Sequence, residues 1–311
     1  MTRTLALHLA LVALLFALNF ALPAYSHGNI ARVMTLAVYA IGFNIAFGYT
    51  GLLSLGHAMF FAAGMYGTAL ALRFTDVTAL PAWGLGLACG AALALAVGLL
   101  ALRTAGVAFM IVTLMFSQAV YLTILYFGTY TRGDEGFVIA ASDRVLWGLS
   151  LSDPQVRYLV AWALFSAAFL FSLRLVGRPM GKVFVAIREN EDRARLLGYE
   201  TFRLKLNALV ISGTISAASG GAYGLLFGYA GASFAGVQYS IFPLLWVLLG
   251  GAGTVIGPFV GTLFMFYLID LSSGLTDAYM LIAGVALVLL TLFAPQGIAG
   301  DLRRRFWKDL P

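Results

Sequence analysis

Ten apolar runs, each close to twenty residues long, dictate what this chain can become: Leu5–Leu22, Ile30–Phe47, Leu52–Leu72, Leu80–Leu102, Val107–Tyr126, Tyr158–Val176, Asn207–Tyr229, Ser233–Leu249, Val255–Leu271 and Ala278–Ala294. A run of that length crosses roughly 30 Å of hydrocarbon as a helix. In lipid a single run can satisfy its own backbone groups only by helical hydrogen bonding. The expectation is an all-α, polytopic membrane bundle of about ten transmembrane helices, forming a single domain over 1–311. Composition agrees: 61% of the residues are hydrophobic and 10% charged, against about a quarter charged in soluble domains. Two runs are less regular. Ser233–Leu249 contains Pro243, and Gly48–His57 carries glycines that make it a re-entrant or unwound stretch. The first 26 residues end in Ala24-Tyr-Ser26, as a signal peptide does, but Leu5–Leu22 is long for a signal core, and a retained first helix is the better reading. The single Cys89 permits no internal disulfide.

Charge orients the bundle. Of 19 Lys/Arg and 13 Asp/Glu, eight and four respectively lie between Arg174 and Lys205. A second basic cluster, Arg303-Arg-Arg-Phe-Trp-Lys308, sits in the tail over 299–311. Basic loops face the cytoplasm, and the four runs separating these clusters place both on that side. The connector over 128–157 has three Arg against four acids and faces outward; the N-terminus with Arg3 returns to the cytoplasm. The prediction is N-in/C-in, with Tyr25, Trp147, Tyr158, Tyr279 and Trp307 near the interfaces. The net charge of +6 is accounted for by this bias, so no nucleic-acid partner is expected.

The polar island over 177–206 reads as a device held at the membrane face. Val183, Ile187, Ala194 and Leu197 recur at helical spacing, a stripe broken only by Asn190. Glu189→Arg193 and Glu191→Arg195 are favourable i,i+4 pairs, and Gly198 suits a left-handed cap. A helix over Val183–Leu197 with one apolar edge fits a groove on a soluble partner or, equally, the headgroups of anionic lipid. The only Gly-Lys pair, Gly181-Lys182, lacks both the earlier glycine and the following Ser/Thr of a phosphate-binding loop. If ATP drives this protein, another chain hydrolyses it. No cofactor or metal is expected, since no His/Cys/Asp/Glu grouping has ligand spacing.

The wording of the island carries a resemblance. Arg188-Glu-Asn-Glu-Asp-Arg-Ala-Arg-Leu-Leu-Gly-Tyr199 resembles the coupling loop of ABC-importer membrane subunits, in which an acid-small-small triplet precedes a glycine; Asp192-Arg193-Ala194 stands at that spacing before Gly198. Phe47-Gly-Tyr-Thr-Gly-Leu-Leu-Ser-Leu-Gly-His-Ala58, Thr131-Arg-Gly-Asp-Glu-Gly136, Leu248-Leu-Gly-Gly-Ala-Gly-Thr254 with Gly257-Pro258, and Phe293-Ala-Pro-Gln-Gly297 are similar, in order, to signatures of the LivM-type permeases of branched-chain amino-acid importers. The resemblance implies a permease subunit in a bacterial inner membrane. Its partners would be two ABC ATPase subunits, a second homologous permease (a heterodimer), an external solute-binding protein and membrane lipid. It also implies that the island meets an ATPase through Ile187, Arg188, Glu189, Asn190, Glu191, Asp192, Arg193, Ala194, Leu197 and Gly198. Two departures bear on the solute: Arg132 stands where family members usually have Gly, and Phe242 where many amino-acid members have Glu. Urea, short amides and aromatic acids, carried by relatives, are the alternatives to a branched-chain amino acid.

The glycine-rich stretch is the best candidate for the translocation path. Gly48, Gly51 and Gly56 weaken helix geometry, and Asn44, Ser54 and His57 supply polar groups; broken helices mark binding sites in many transporters. His57 alone reads first as a hydrogen-bonded packing residue. Gly253, Gly257 and Gly261, four apart, read as a close helix crossing. In the connector, Arg132, Asp134 and Glu135 form a charged turn suited either to docking a binding protein or to plain solvation. An ion-coupled secondary transporter or channel has the same topology but is expected to hold acids deep in its bundle, and here Asp270 and Asp277 lie only at span ends. A membrane-embedded enzyme using His57 lacks a second His nearby in sequence.

Overall fold

The computed structural model describes residues 2–274, 276, 278–293 and 296–306. The tail beyond 306, with Trp307 and Lys308, and Asp277, Ala294 and Pro295 lie outside the described residues. Among the described residues, five helices are long and apolar enough to cross a membrane: Tyr25–Tyr49, Ala79–Ala101, Val107–Tyr126, Pro154–Gly177 and Thr201–Phe227. Shorter apolar helices cover Leu5–Ala21, Ala58–Phe74, Val237–Gly250 and Gly257–Ser273. The chain is a polytopic helical membrane bundle, as the runs require.

In order, α1 is Thr2–Ala21, α2 Ala24–Asn44, α3 Ala58–Phe74, α4 Ala79–Ala101 and α5 Val107–Tyr126. A one-turn α6 (Gly128–Thr131) and three two-residue strands follow: β1 Phe137–Val138, β2 Val145–Leu146 and β3 Leu149–Ser150. Then come α7 Pro154–Gly177, α8 Pro179–Glu189, α9 Glu191–Leu196, α10 Thr201–Phe227, β4 Tyr229–Ala230, α11 Val237–Gly250, α12 Gly257–Ser273, α13 Tyr279–Phe293 and α14 Gly297–Phe306. The strands are a departure from the all-α expectation. β1 pairs antiparallel with β4, and β2 with β3 through a turn in which Trp147 and Gly148 both have positive φ. Two-residue strands carry too little alternation to be read from sequence.

The long α10 is the central post, packed on α2, α3 and α4. Small residues make that possible. A Cβ on Gly64 of α3 would lie 2.0 Å from the Ala217 carbonyl oxygen of α10, and one on Gly220 would lie 1.9 Å from that of Phe61. The two helices therefore touch backbone to backbone at two levels. α7 shields the other side of α2. Its Tyr158 hydroxyl donates to the Leu15 carbonyl at 2.6 Å and its Trp162 ring nitrogen to that of Val12 at 2.9 Å, which ties α1 to the bundle.

One predicted span and one predicted helix face change shape. Leu52–Leu72 is not one helix: α2 runs on through a π turn at Ile45–Tyr49, the chain is non-helical from Gly51 to His57, and α3 starts only at Ala58. The freed Ala58 amide donates to Ser240 Oγ at 3.0 Å, a partner 182 residues away. Likewise Gly253 does not share a helix face with Gly257 and Gly261. It sits in the α11–α12 loop at φ +73, and only the other two lie on α12.

Candidate functional site

The island lies at one end of α7 and α10, and the 128–157 connector at their other end; these ends are the island face and the connector face. At the island face the single helix expected over Val183–Leu197 is two helices set at an angle to each other. Asn190, where the apolar stripe breaks, is the reason. Its backbone is extended (φ −161, ψ 102), and its Oδ1 accepts from the Arg193 amide at 2.9 Å, capping α9. The break separates Glu189 from Arg193, so Glu189 pairs instead with Arg188 at 2.8 Å. Glu191–Arg195, inside α9, forms as expected at 3.3 Å. Gly198 at φ +88 ends α9: the Gly198 amide donates to Arg195 and the Tyr199 amide to Ala194, closing a Schellman motif.

Of the residues expected to contact a partner, Ile187 and Ala194 are buried against this chain's own bundle. Glu189, Asn190, Asp192, Arg193, Leu197 and Gly198 are exposed, as is Leu196 at 88%. The exposed apolar edge of α9 is thus Leu196–Leu197 rather than the whole stripe. Glu191 faces inward. Lys205 of α10 grips both its oxygens, at 2.8 and 2.9 Å, and is itself buried. Burial alone would raise the Glu191 carboxyl, but the hydrogen bond and charge of Lys205, with Thr201 and Arg195, outweigh it and hold the group below the usual glutamate range. Lys205 lies past the end of the island's helical pattern, and nothing in the sequence flags it as a partner of Glu191.

Arg188 is exposed along part of its side chain, but its tip reaches the bundle. Its guanidinium donates to the Gly48 carbonyl oxygen, and its stem packs on Gly51, which turns at φ +77. On the other side of Gly48, Asn44 Nδ2 donates to the Thr254 carbonyl at 2.9 Å, while its Oδ1 accepts from the Gly253 amide at 3.0 Å. Arg188 and Asn44 thereby join α8, the π turn of α2 and the α11–α12 loop at one point. Beside it, a cavity of about 480 Å³ is bounded by Gly51, Leu53, Gly106, Ile187, Glu191 and Lys205, among others.

The remaining path candidates lie deeper. Ser54 is buried, its Oγ 3.4 Å from the Gly56 amide. His57 is buried among Phe43, Phe60 and Tyr39, and its Nε2 meets Ser212 Oγ at 2.9 Å. Ser212 in turn donates to the Gly42 carbonyl. The structure therefore brings Asn44, Gly48 and Gly51 together at the island face and leaves Ser54 and His57 inside the bundle. Arg132, Asp134 and Glu135 are exposed at the connector face; the turn is fixed from behind by Tyr229, whose hydroxyl donates to the Glu135 carbonyl at 2.8 Å. No group of three His, Cys, Asp or Glu able to hold a metal occurs among the described residues.

The family model described as branched-chain amino acid transport system / permease component matches residues 28–292. The chain belongs to that family. It is a permease component of a branched-chain amino acid ABC transport system, a multi-pass membrane protein of a family without catalytic activity of its own. It is 30% identical over 291 residues to the high-affinity branched-chain amino acid transport system permease protein LivM of Escherichia coli (strain K12), spanning 85% of this chain and 68% of that one. It is 28% identical over 316 residues to the protein of the same name from Salmonella typhimurium, spanning 93% and 73%. A probable branched-chain amino acid transport permease protein LivM of Methanocaldococcus jannaschii is 33% identical over 117 residues, or 36% and 34% of the two chains. No solved structure matches. Within this permease family, the matched span includes the coupling-like island, the π turn and the α11–α12 loop that the Arg188 junction joins.

Proposed function

We propose that this permease carries a branched-chain amino acid or a similar small polar solute across a bacterial inner membrane, with about ten spans, N-in/C-in, in a heterodimer with a second homologous permease. Two separate ATPase subunits supply the energy, and an external binding protein delivers the solute. The chain acts as one domain over 1–311, with the 128–157 connector outside and the 177–206 loop and the 299–311 tail in the cytoplasm. The observation that carries this reading is the junction at Arg188, which ties the island to the π turn of α2. An ATPase gripping the exposed rim of α8 and α9 (Glu189, Asn190, Asp192, Arg193, Leu197 and Gly198) moves Arg188 and Glu191 with it. That motion pulls on Gly48 and Gly51 and, through Asn44, on the α11–α12 loop. The stretch from Asn44 through Ser54 to His57 is then the inner limb of the path, held closed by its own hydrogen bonds until α8 shifts. Arg132, Asp134 and Glu135 dock the binding protein.

The test is uncoupling. In the assembled transporter, Gly198→Val or the charge reversals Glu191→Lys and Asp192→Lys are expected to abolish solute-stimulated ATP turnover and uptake while the binding protein still docks with wild-type affinity. Normal stimulated turnover and uptake in all three would overturn the coupling role of the island.

A further inference from the structure

At the connector face, two arginines from separate helices converge on one phenylalanine, and a third lies at the end of that phenylalanine's helix. The guanidinium carbon of Arg32 on α2 lies 4.9 Å from the Phe227 ring centroid, and that of Arg157 on α7 lies 5.6 Å from it. Arg144, just before β2, reaches the Leu225 carbonyl at 3.4 Å and packs on Gly228, the left-handed cap of α10. Arg32 and Arg144 are both within electrostatic reach of Arg157. The acid acting on Arg157 is Asp153, but its Oδ1 is already engaged by the Gln155 and Val156 amides at 2.7 and 3.3 Å.

These charges are incompletely compensated. Every ion pair between described residues lies in the island or at the start of α10, none at this cluster. The Nε atoms of Arg144 and Arg157 are both buried and meet no hydrogen-bond partner among the described residues. The carbonyl end of α10 offsets part of the Arg144 charge, and the Phe227 ring part of the other two. Neither removes the mutual repulsion of three cations at the edge of a low-dielectric bundle, whereas an anion between them does.

The floor beneath the cations is aromatic. Tyr223 and Tyr239 lie within electrostatic reach of Arg32. The Tyr223 ring is 4.6 Å from Phe227 and 5.2 Å from Phe234, which is 4.7 Å from Tyr239. A cationic rim on an aromatic floor matches a small molecule with a carboxylate at one end and an apolar group at the other. We propose that Arg32 and Arg157, backed by Arg144, form a carboxylate-binding rim at the connector face. It receives the carboxylate of the amino-acid solute while the solute's apolar side chain lies on Phe227 and Tyr223. This rests on the reading of the chain as an amino-acid permease and adds a solute contact far from the island.

The test uses the complete transporter in phosphatidylcholine proteoliposomes, with arginine modification by phenylglyoxal mapped by mass spectrometry. L-leucine is expected to slow modification of Arg32 and Arg157 roughly tenfold, the equivalent of one charge-assisted hydrogen bond, and leucinamide, which lacks the carboxylate, to give no protection. Arg32→Gln and Arg157→Gln should each lower ATP-driven leucine uptake about tenfold, with Arg→Lys at either position restoring much of it. Equal protection by leucine and leucinamide, or none by either, overturns the rim. Protection that requires phosphatidylglycerol and ignores leucine assigns the cations to a lipid phosphate and overturns it as well. A wild-type transporter without ATP-driven leucine uptake would instead refute the permease reading, so the two failures are distinct.

Discussion

The guanidinium of Arg188 donates to the carbonyl oxygen of Gly48, a residue 140 positions earlier in the chain. Gly48 lies in the π turn that ends α2. Its α-carbon leaves no room for a side chain: a Cβ there would sit 1.9 Å from Asn44 Oδ1 and 2.5 Å from the Gly253 amide. The π turn thus presents its carbonyl to Arg188 only because the residue is glycine.

Arg188→Ala is expected to leave the bundle folded, since the side chain is partly exposed, while removing the link from α8 to the π turn. Stimulated ATP turnover should fall less than uptake, so that more ATP is hydrolysed per solute moved. Measuring both in proteoliposomes checks this, and an unchanged ratio would count against the link.

Glu191→Gln leaves Lys205 buried without its carboxylate, a loss of about 1–3 kcal/mol for a charged hydrogen-bonding group. Thermal unfolding in detergent should register it, and hydrogen exchange should rise first in α9.

The same pair sets a pH dependence. The folded Glu191 carboxyl lies below its ordinary range, so its contribution is fully present above the unfolded glutamate pKa of about 4.3 and is lost only as pH falls through the depressed folded value. Hydrogen exchange in α9, corrected for the intrinsic rate, should therefore stay flat from neutral pH down to the ordinary glutamate range and rise below it.

Gly64→Val and Gly220→Val should each force α3 and α10 apart, because the added atoms meet a carbonyl at about 2 Å. A cost of about 1–3 kcal/mol or more is expected for such overpacking, read as a lower unfolding temperature or loss of monodisperse protein. Gly84→Val, where nothing lies within 4 Å of an added Cβ, is the control expected to behave as wild type.

Asn44→Leu removes both hydrogen bonds to the α11–α12 loop and leaves a buried carbonyl and amide unpaired. The expected outcome is a destabilisation of about 2 kcal/mol or more together with lower uptake. Asn44→Asp, which keeps the acceptor for Gly253, should retain more of both.

Run length and hydropathy alone determined the helical membrane bundle, because a chain in lipid has no other way to satisfy its backbone. The island's charge, the cap at Gly198 and the pair Glu191–Arg195 were equally legible, since each depends on residues within one or two turns. The bend at Asn190 was half visible, as the one break in an apolar stripe. Contacts between residues far apart in sequence came from the folded arrangement: Arg188 on Gly48, Asn44 on the 253–254 loop, Lys205 on Glu191 across the α9–α10 turn, and the arginines around Phe227. Local patterning records which face of a helix is apolar. It does not record which distant carbonyl or cation a given face will meet, and that follows from how the helices cross, which the close approaches at Gly64 and Gly220 allow.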